Sequence, residues 1–127
     1  YDLLAAVRSS GDWEAWIEFF LDAIRGSAQE AIRLAMNLFE LHEQNRKKLI
    51  SADDIVIATI RLFELLPGRP ILNLNRVVSL LEVSKPTASK ALMQLEKANI
   101  LVETTSAQRN RIFVYRKYLN LLTQDTG

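Results

Sequence analysis

A stretch of small polar and cationic residues at positions 84–97 has the residue types that contact nucleic acids. Lysines neutralise phosphates, and hydroxyl and amide side chains hydrogen-bond to phosphate oxygens and base edges. Ser84 is a good N-cap and Pro86 falls in the first turn, so the stretch is predicted to be a helix. Its apolar residues recur at helical spacing and would face a core. The side chains predicted to face outward and to contact DNA are Lys85, Thr87, Ser89, Lys90 and Gln94. The alternative is an amphipathic helix with a solvated outer face.

A predicted hairpin follows this helix. Residues 100–104 and 111–115 are rich in β-branched and aromatic residues, and a polar tip separates them. Arg109 and Arg111 alternate along a strand and so share one face. Together with Asn110 they are predicted to contact DNA. The alternative for the two arginines is solvated charge that protects an edge strand from pairing.

The charge distribution agrees with this placement. The chain has a net charge of +1, but residues 84–117 hold seven Lys and Arg against two Asp and Glu. A basic patch that coincides with the helix and hairpin is what binding to a polyanion requires. The excess is modest, so we expect binding that is weak and strongly dependent on salt.

Several helices must position these residues. Asp12 is predicted to cap a helix that Gly26 ends, and a capping box at 27–30 is predicted to open a second helix reaching about Lys48. A helix from Ser51 to Leu66 is apolar nearly all round, which predicts a place between two layers. Asn73 is predicted to cap the helix before the turn, and Ile71-Leu72 to add a third strand.

These elements predict a mainly α fold with a small β wing: a winged helix-turn-helix preceded by an N-terminal helical segment. Residues 1–50 are predicted to be a helical linker or extension, and residues 51–127 the winged helix-turn-helix domain. The apolar surface of the first helix is wider than one neighbour needs, which indicates a partner-docking face. Its predicted docking residues are Trp13, Trp16, Phe19 and Phe20.

The composition excludes several kinds of chemistry. The chain has no cysteine and one histidine, which excludes disulfides, thiol catalysis and multi-histidine metal sites. His42 has no ligand or nucleophile near it in sequence, and we expect an ordinary surface or boundary residue. No catalytic residue, metal ligand or cofactor is predicted for this chain. No apolar run approaches the roughly 18 residues that span a bilayer, so a cytoplasmic protein without membrane contact is expected.

Three stretches together resemble the C-terminal region of Fic-family (filamentation induced by cAMP) proteins, which transfer AMP onto target hydroxyls. They are residues 1–8 with 11–21, Leu66-Pro67-Gly68-Arg69-Pro70, and residues 83–92. The resemblance implies that the catalytic Fic domain and its ATP lie upstream, absent from this chain. It also implies that residues 12–21 are a terminal helix of that domain or its linker, and that residues 1–50 pack on the upstream domain. The start at Tyr1 without methionine also predicts a piece of a longer protein. Glu82 and Asn99 stand where such proteins tend to have glycine.

Two main functions follow from these observations. The first is a DNA-binding regulatory module, a homodimer acting in transcription regulation through helix 84–97 and a wing at 105–111. The second is a protein-interaction or dimerisation module that positions a catalytic domain or its targets without binding DNA. A standalone enzyme is the weakest alternative, since no nucleophile with a base and no phosphate loop is visible.

Overall fold

The computed structural model describes residues 13–104 and 110–124, with positions 1–12, 105–109 and 125–127 outside that description. Within it the chain forms five helices and three short strands. In chain order they are α1 (Trp13–Ile50), α2 (Ile57–Leu65), β1 (Ile71–Leu72), α3 (Leu74–Leu81), α4 (Lys85–Lys97), β2 (Val102–Glu103), β3 (Phe113–Val114) and α5 (Arg116–Gln124). The predicted fold class, mainly α with a small β wing, is confirmed.

The chain divides into two compact units, Tyr1–Met36 and Asn37–Gly127. In the first unit the described residues are helical, and none of the side chains from 13 to 36 is buried. The second unit holds the winged helix. It begins before the predicted boundary at residue 51, because His42 and Leu49 are buried within it.

Helix α1 is continuous from Trp13 to Ile50, so the predicted break at Gly26 and the new start at Ser27 are wrong. A glycine inside a helix costs about 1 kcal/mol relative to alanine, which good helix formers on both sides can outweigh. The capping-box pattern at 27–30 therefore does not mark a helix start.

Helix α2 starts at Ile57 and not at the predicted Ser51. Asp54 has a left-handed backbone (φ 68°), and Val56 is extended, so the intervening residues turn before the helix begins. Only one face of α2 is buried, through Ala58, Thr59, Leu62 and Phe63, while Ile57 is 77% exposed. The expectation that this helix is covered on both sides is wrong for the described residues.

The two helices of the helix-turn-helix are capped as predicted. Asn73 Oδ1 accepts a hydrogen bond of 2.8 Å from the backbone N–H of Arg76 at the start of α3. The hydroxyl of Ser84 accepts one of 3.3 Å from the N–H of Thr87 at the start of α4. Between them Glu82 ends α3 in the left-handed conformation (φ 55°). These caps satisfy N–H groups that would otherwise have no partner.

The three strands form an antiparallel sheet in the order β1-β3-β2. Leu72 pairs with Phe113 and Glu103 pairs with the same phenylalanine from the other side. The predicted third strand at Ile71-Leu72 is confirmed, and it joins the wing hairpin to the residues just before α3. The sheet therefore ties the base of the wing to the helix-turn-helix.

One apolar core holds the second unit together. The largest fully buried side chains include Tyr115, Phe63, Leu62, Leu66 and Leu95. Burying a side chain of this size contributes roughly 1.5–3 kcal/mol. Helix α4 contributes Ala88, Ala91, Leu92 and Leu95, the four residues predicted to face the core.

The structure corrects the expectation for His42, which is only 8% exposed. Its ring stacks on Phe63 with centroids 4.1 Å apart and rings nearly parallel. Its Nδ1 atom lies 3.0 Å from the hydroxyl of Tyr115. Both contacts come from residues distant in sequence, which is why local spacing could not reveal them.

Candidate nucleic-acid interface

The outer face of α4 carries most of the predicted DNA contacts. Lys85 and Lys90 are exposed, while Thr87 and Ser89 are half-buried. The helix is held by small side chains, since Ala88 and Ala91 are completely buried. Small residues on the inner face let α4 lie close to its neighbours, and the two lysines remain free to reach an external polyanion.

Thr87 has two roles at the helix start. Its backbone N–H donates to the hydroxyl of Ser84, and its own hydroxyl oxygen accepts from Ser84 Oγ at 3.0 Å. A hydroxyl carries one donor and two acceptor positions. Thr87 can therefore still donate its proton to a phosphate while its oxygen remains in the cap.

Gln94, also predicted as a DNA contact, is half-buried, and its amide makes hydrogen bonds within the fold. Its Nε2 donates to the backbone carbonyl of Asp54 at 2.7 Å. Its Oε1 accepts from the N–H of Val56 at 3.2 Å and from the hydroxyl of Thr59. Three hydrogen bonds of this amide attach α4 to the start of α2, so Gln94 holds the helix in place within the fold.

The described part of the wing includes two of its three predicted residues. Asn110 has a left-handed backbone (φ 55°) just before the chain enters β3. Arg111 Nη1 lies 3.6 Å from Glu103 Oε1, an ion pair across the mouth of the hairpin. Glu103 offsets part of the charge of Arg111. Arg109 lies outside the described residues. The prediction that it shares one face of a strand with Arg111 therefore stays a prediction.

Helix α4 and the base of the wing are brought together at a shared cavity of about 270 Å³. Ser89, Met93 and Glu96 line it from α4, and Asn110 and Arg111 line it from the wing. Ser89, one of the predicted α4 residues, thus meets the predicted wing residues Asn110 and Arg111 at one surface. About 52% of the Arg111 side chain is exposed there. One ligand could contact both groups at once.

Two residues of this region were missed by the sequence analysis. Met93 is 63% exposed on α4, where it offers an apolar contact of the kind made with a thymine methyl group. Arg76 is exposed in the first turn of α3 and lines an open groove of about 460 Å³ with Asn75 and Ser79.

The predicted partner-docking residues lie in the first unit. Trp13 is 61% exposed, Phe19 63% and Phe20 49%. Trp16 is half-buried and stacks on Phe20 with ring centroids 5.4 Å apart. These side chains give the helix an exposed aromatic surface, as the sequence analysis expected.

Neither a metal centre nor a membrane helix is found in the described part of the chain. Residues 13–104 and 110–124 contain no group of three or more His, Asp or Glu side chains placed to hold a metal ion. None of the helices in those ranges is long and apolar enough to cross a bilayer.

No known protein-family model matches the chain. Among solved structures it is similar to RV1404 from Mycobacterium tuberculosis, with 18% identity and a TM-score of 0.44 over 83% of this chain and 72% of that one. It is similar to BpsR of Bordetella bronchiseptica, whose DNA binding is regulated by 6-hydroxynicotinic acid, with 14% identity and a TM-score of 0.41 over 74% of each chain. It is also similar to disulfide-formed AbfR, with 15% identity and a TM-score of 0.43 over 86% of this chain and 79% of that one.

Proposed function

We propose that this chain is a DNA-binding module that contacts double-stranded DNA with α4 and the wing. The observation that carries the proposal is the shared surface at which Ser89 and Met93 of α4 meet Asn110 and Arg111 of the wing. Exposed Lys85 and Lys90 lie on the same helix. A helix with short side chains can enter a major groove about 12 Å wide, while an adjacent loop follows the backbone.

The residue types divide into two roles. Lys85, Thr87 and Arg111 suit phosphate contacts, which set affinity and register without reading sequence. Ser89, Lys90 and Met93 lie further along α4, where they would meet base edges. Binding through these cations should weaken as salt rises, because each neutralised phosphate contributes about 0.9 to the slope of log K against log salt.

The test is fluorescence polarisation of labelled duplex DNA titrated with the chain at about 50 and 200 mM salt. We expect binding that weakens with salt, at least a tenfold loss in Lys90→Glu, and a salt slope reduced by about 1 in Lys85→Ala. Arg109→Glu tests the wing tip in the same way.

The matched control is Lys47→Glu, which makes the same change of charge on an exposed residue near the end of α1. If Lys47→Glu weakens binding as much as Lys90→Glu, the effect is one of net charge and α4 is not the contact. If the chain binds no duplex at either salt concentration, the DNA proposal fails.

A protein-interaction module is the second candidate, favoured by the exposed aromatic surface of Trp13, Phe19 and Phe20. Exposed apolar patches of this kind mark partner surfaces, and a homodimer is one such use. Light scattering of the chain and of a Trp13→Ser, Phe19→Ser variant tests it. A chain that is monomeric at 100 times the DNA-binding concentration would exclude the homodimer.

We also propose, from the sequence resemblance alone, that this chain is the C-terminal part of a Fic-type protein whose upstream domain uses ATP. The chain itself would then have no transferase activity. Labelled ATP incubated with the longer protein tests this proposal. Transfer of AMP to protein by the longer form, and none by residues 1–127, is the expected result.

A further inference from the structure

A buried polar cluster joins the long helix to the wing strand. The cluster consists of His42, Asn45, Phe63 and Tyr115. Tyr115 follows directly after β3, is completely buried, and donates its backbone N–H to Pro70 at 2.8 Å. Its hydroxyl contacts His42 Nδ1 at 3.0 Å and Asn45 Nδ2 at 3.1 Å. The end of the central wing strand is therefore attached to α1 through one hydroxyl group.

The hydrogen bonds of this cluster fit a neutral His42 side chain. Asn45 Nδ2 can only donate, so the oxygen of Tyr115 accepts from it, and the tyrosine's proton is available to His42 Nδ1. With Nδ1 as the acceptor, the imidazole is neutral and carries its proton on Nε2. Within the described residues Nε2 is buried and has no hydrogen-bond partner. The imidazole is thus held by a single hydrogen bond on Nδ1.

A second proton on the ring would disturb this arrangement. Nδ1 would become a donor facing a hydroxyl that already donates to it, and the hydroxyl proton would lose its acceptor. Burial lowers the pKa of His42, the positive charge of Arg46 lowers it further, and Glu64 opposes them. Glu64 is itself bound to Arg46 by two hydrogen bonds of 2.9 and 2.8 Å, so its charge is largely offset.

The groups around the ring come from three elements. Arg46 lies on the same helix, Phe63 and Glu64 come from α2, and Tyr115 from the end of β3. Among the described residues, Arg46 and Glu64 are the charged groups that act on His42. The phenyl ring of Phe63 offers no acceptor for an N–H group in the ring plane. Burial and the lack of an acceptor at Nε2 among the described residues both disfavour a charged imidazolium in the cluster.

We propose that the His42 cluster is a pH-sensitive latch on the wing: protonation of His42 breaks its hydrogen bond with Tyr115 and loosens the strand that Tyr115 ends. His42 and Tyr115 are then positioning residues that hold β3, and with it Asn110 and Arg111, in one orientation when His42 is neutral. The latch is a property of the fold and does not rest on the proposal that the chain binds DNA.

The chain offers an unusually clean test, because His42 is its only histidine. A proton and carbon NMR titration of the imidazole between pH 7.5 and 5 follows this residue without assignment ambiguity. The backbone amides of Phe113, Val114 and Tyr115 are recorded in the same samples. We expect a midpoint for His42 below 6.5, the ordinary value for histidine, and wing amides that shift with the same midpoint.

Two variants separate the latch from general effects of pH. In Tyr115→Phe the hydroxyl is removed while the ring remains, so His42 should still titrate but the wing amides should no longer follow it. Tyr118→Phe is the matched control, since it removes the hydroxyl of the neighbouring ring that stacks on Tyr115. In that control both responses should persist.

Three results would overturn the proposal. One is a His42 midpoint at or above 6.5, which would show that the ring is not held neutral. Another is a titration of His42 to which the wing amides do not respond. The last is a wing response that survives in Tyr115→Phe, which would place its origin in other groups. None of these results depends on whether DNA is bound.

Discussion

Single residues with positive φ angles mark local backbone strain in this fold. Glu82, Asn99 and Asn110 all have positive φ angles, between 55° and 60°. Asparagine tolerates this conformation because its short side chain can bond locally, whereas glutamate has no such compensation. Glu82 is therefore the most strained of the three, at the turn that joins the two helices of the helix-turn-helix.

Replacing Glu82 with glycine should stabilise the chain. Glycine reaches left-handed φ without the clash of a Cβ atom, which predicts a gain of about 1 kcal/mol in the free energy of unfolding. Urea denaturation followed by far-UV circular dichroism measures the change. Glu82→Ala removes the same charge and keeps the Cβ atom, so it should give no gain. Equal stabilisation by alanine and glycine would assign the effect to charge.

Gln94 shows that a polar residue on the helix proposed to contact DNA can belong to the fold. Its amide makes hydrogen bonds to Asp54, Val56 and Thr59, which together attach α4 to the turn before α2. Gln94→Ala should lower the free energy of unfolding by about 2 kcal/mol, because the N–H of Val56 and the carbonyl of Asp54 lose partners. Lys90→Ala, on the exposed side, should stay within about 0.5 kcal/mol. If both variants unfold at the same urea concentration, these hydrogen bonds have no net effect on stability.

Among the elements, the sequence predicted the caps of α3 and α4 and the third strand, but not the length of α1 or the start of α2. Ser84 and Asn73 cap their helices as expected, and the third strand at Ile71-Leu72 pairs as expected. Local spacing could not reveal the hydrogen bonds of Gln94, because its partners lie about 40 residues earlier in the chain. The expectation for His42 failed for the same reason, since its hydrogen-bond partner Tyr115 lies 73 residues away.

The long helix α1 offers a test in which the sign of the effect decides between two structures. Gly26 lies inside the helix, and a Cβ atom added there would meet no other atom within 4 Å. Gly26→Ala should therefore raise helix content and stabilise the helix by about 1 kcal/mol. If Gly26 instead ended a helix in the left-handed conformation, alanine would destabilise it by a similar amount. Helix content from circular dichroism and the melting temperature distinguish the two outcomes.

For the whole molecule, the buried residues are concentrated in one of the two units. Every buried side chain among the described residues lies between His42 and Tyr115, within the unit Asn37–Gly127. The exposed aromatic residues Trp13, Phe19 and Phe20 belong to the other unit. The proposed DNA surface and the aromatic surface are thus carried by different units, and removal of one unit separates their roles.

A fragment of residues 37–127 should fold without the first 36. The fragment retains every buried side chain of the described residues. Its melting temperature, measured by differential scanning calorimetry, should therefore lie within a few degrees of that of the full chain. If the α4 face binds DNA as a monomer, the fragment should also keep the affinity of residues 1–127 for duplex DNA. If binding requires a dimer formed through the aromatic residues of the first unit, the fragment should fold normally but bind far more weakly. A fragment that fails to unfold cooperatively would contradict the division into two units, because residues 1–36 would then be required for the core.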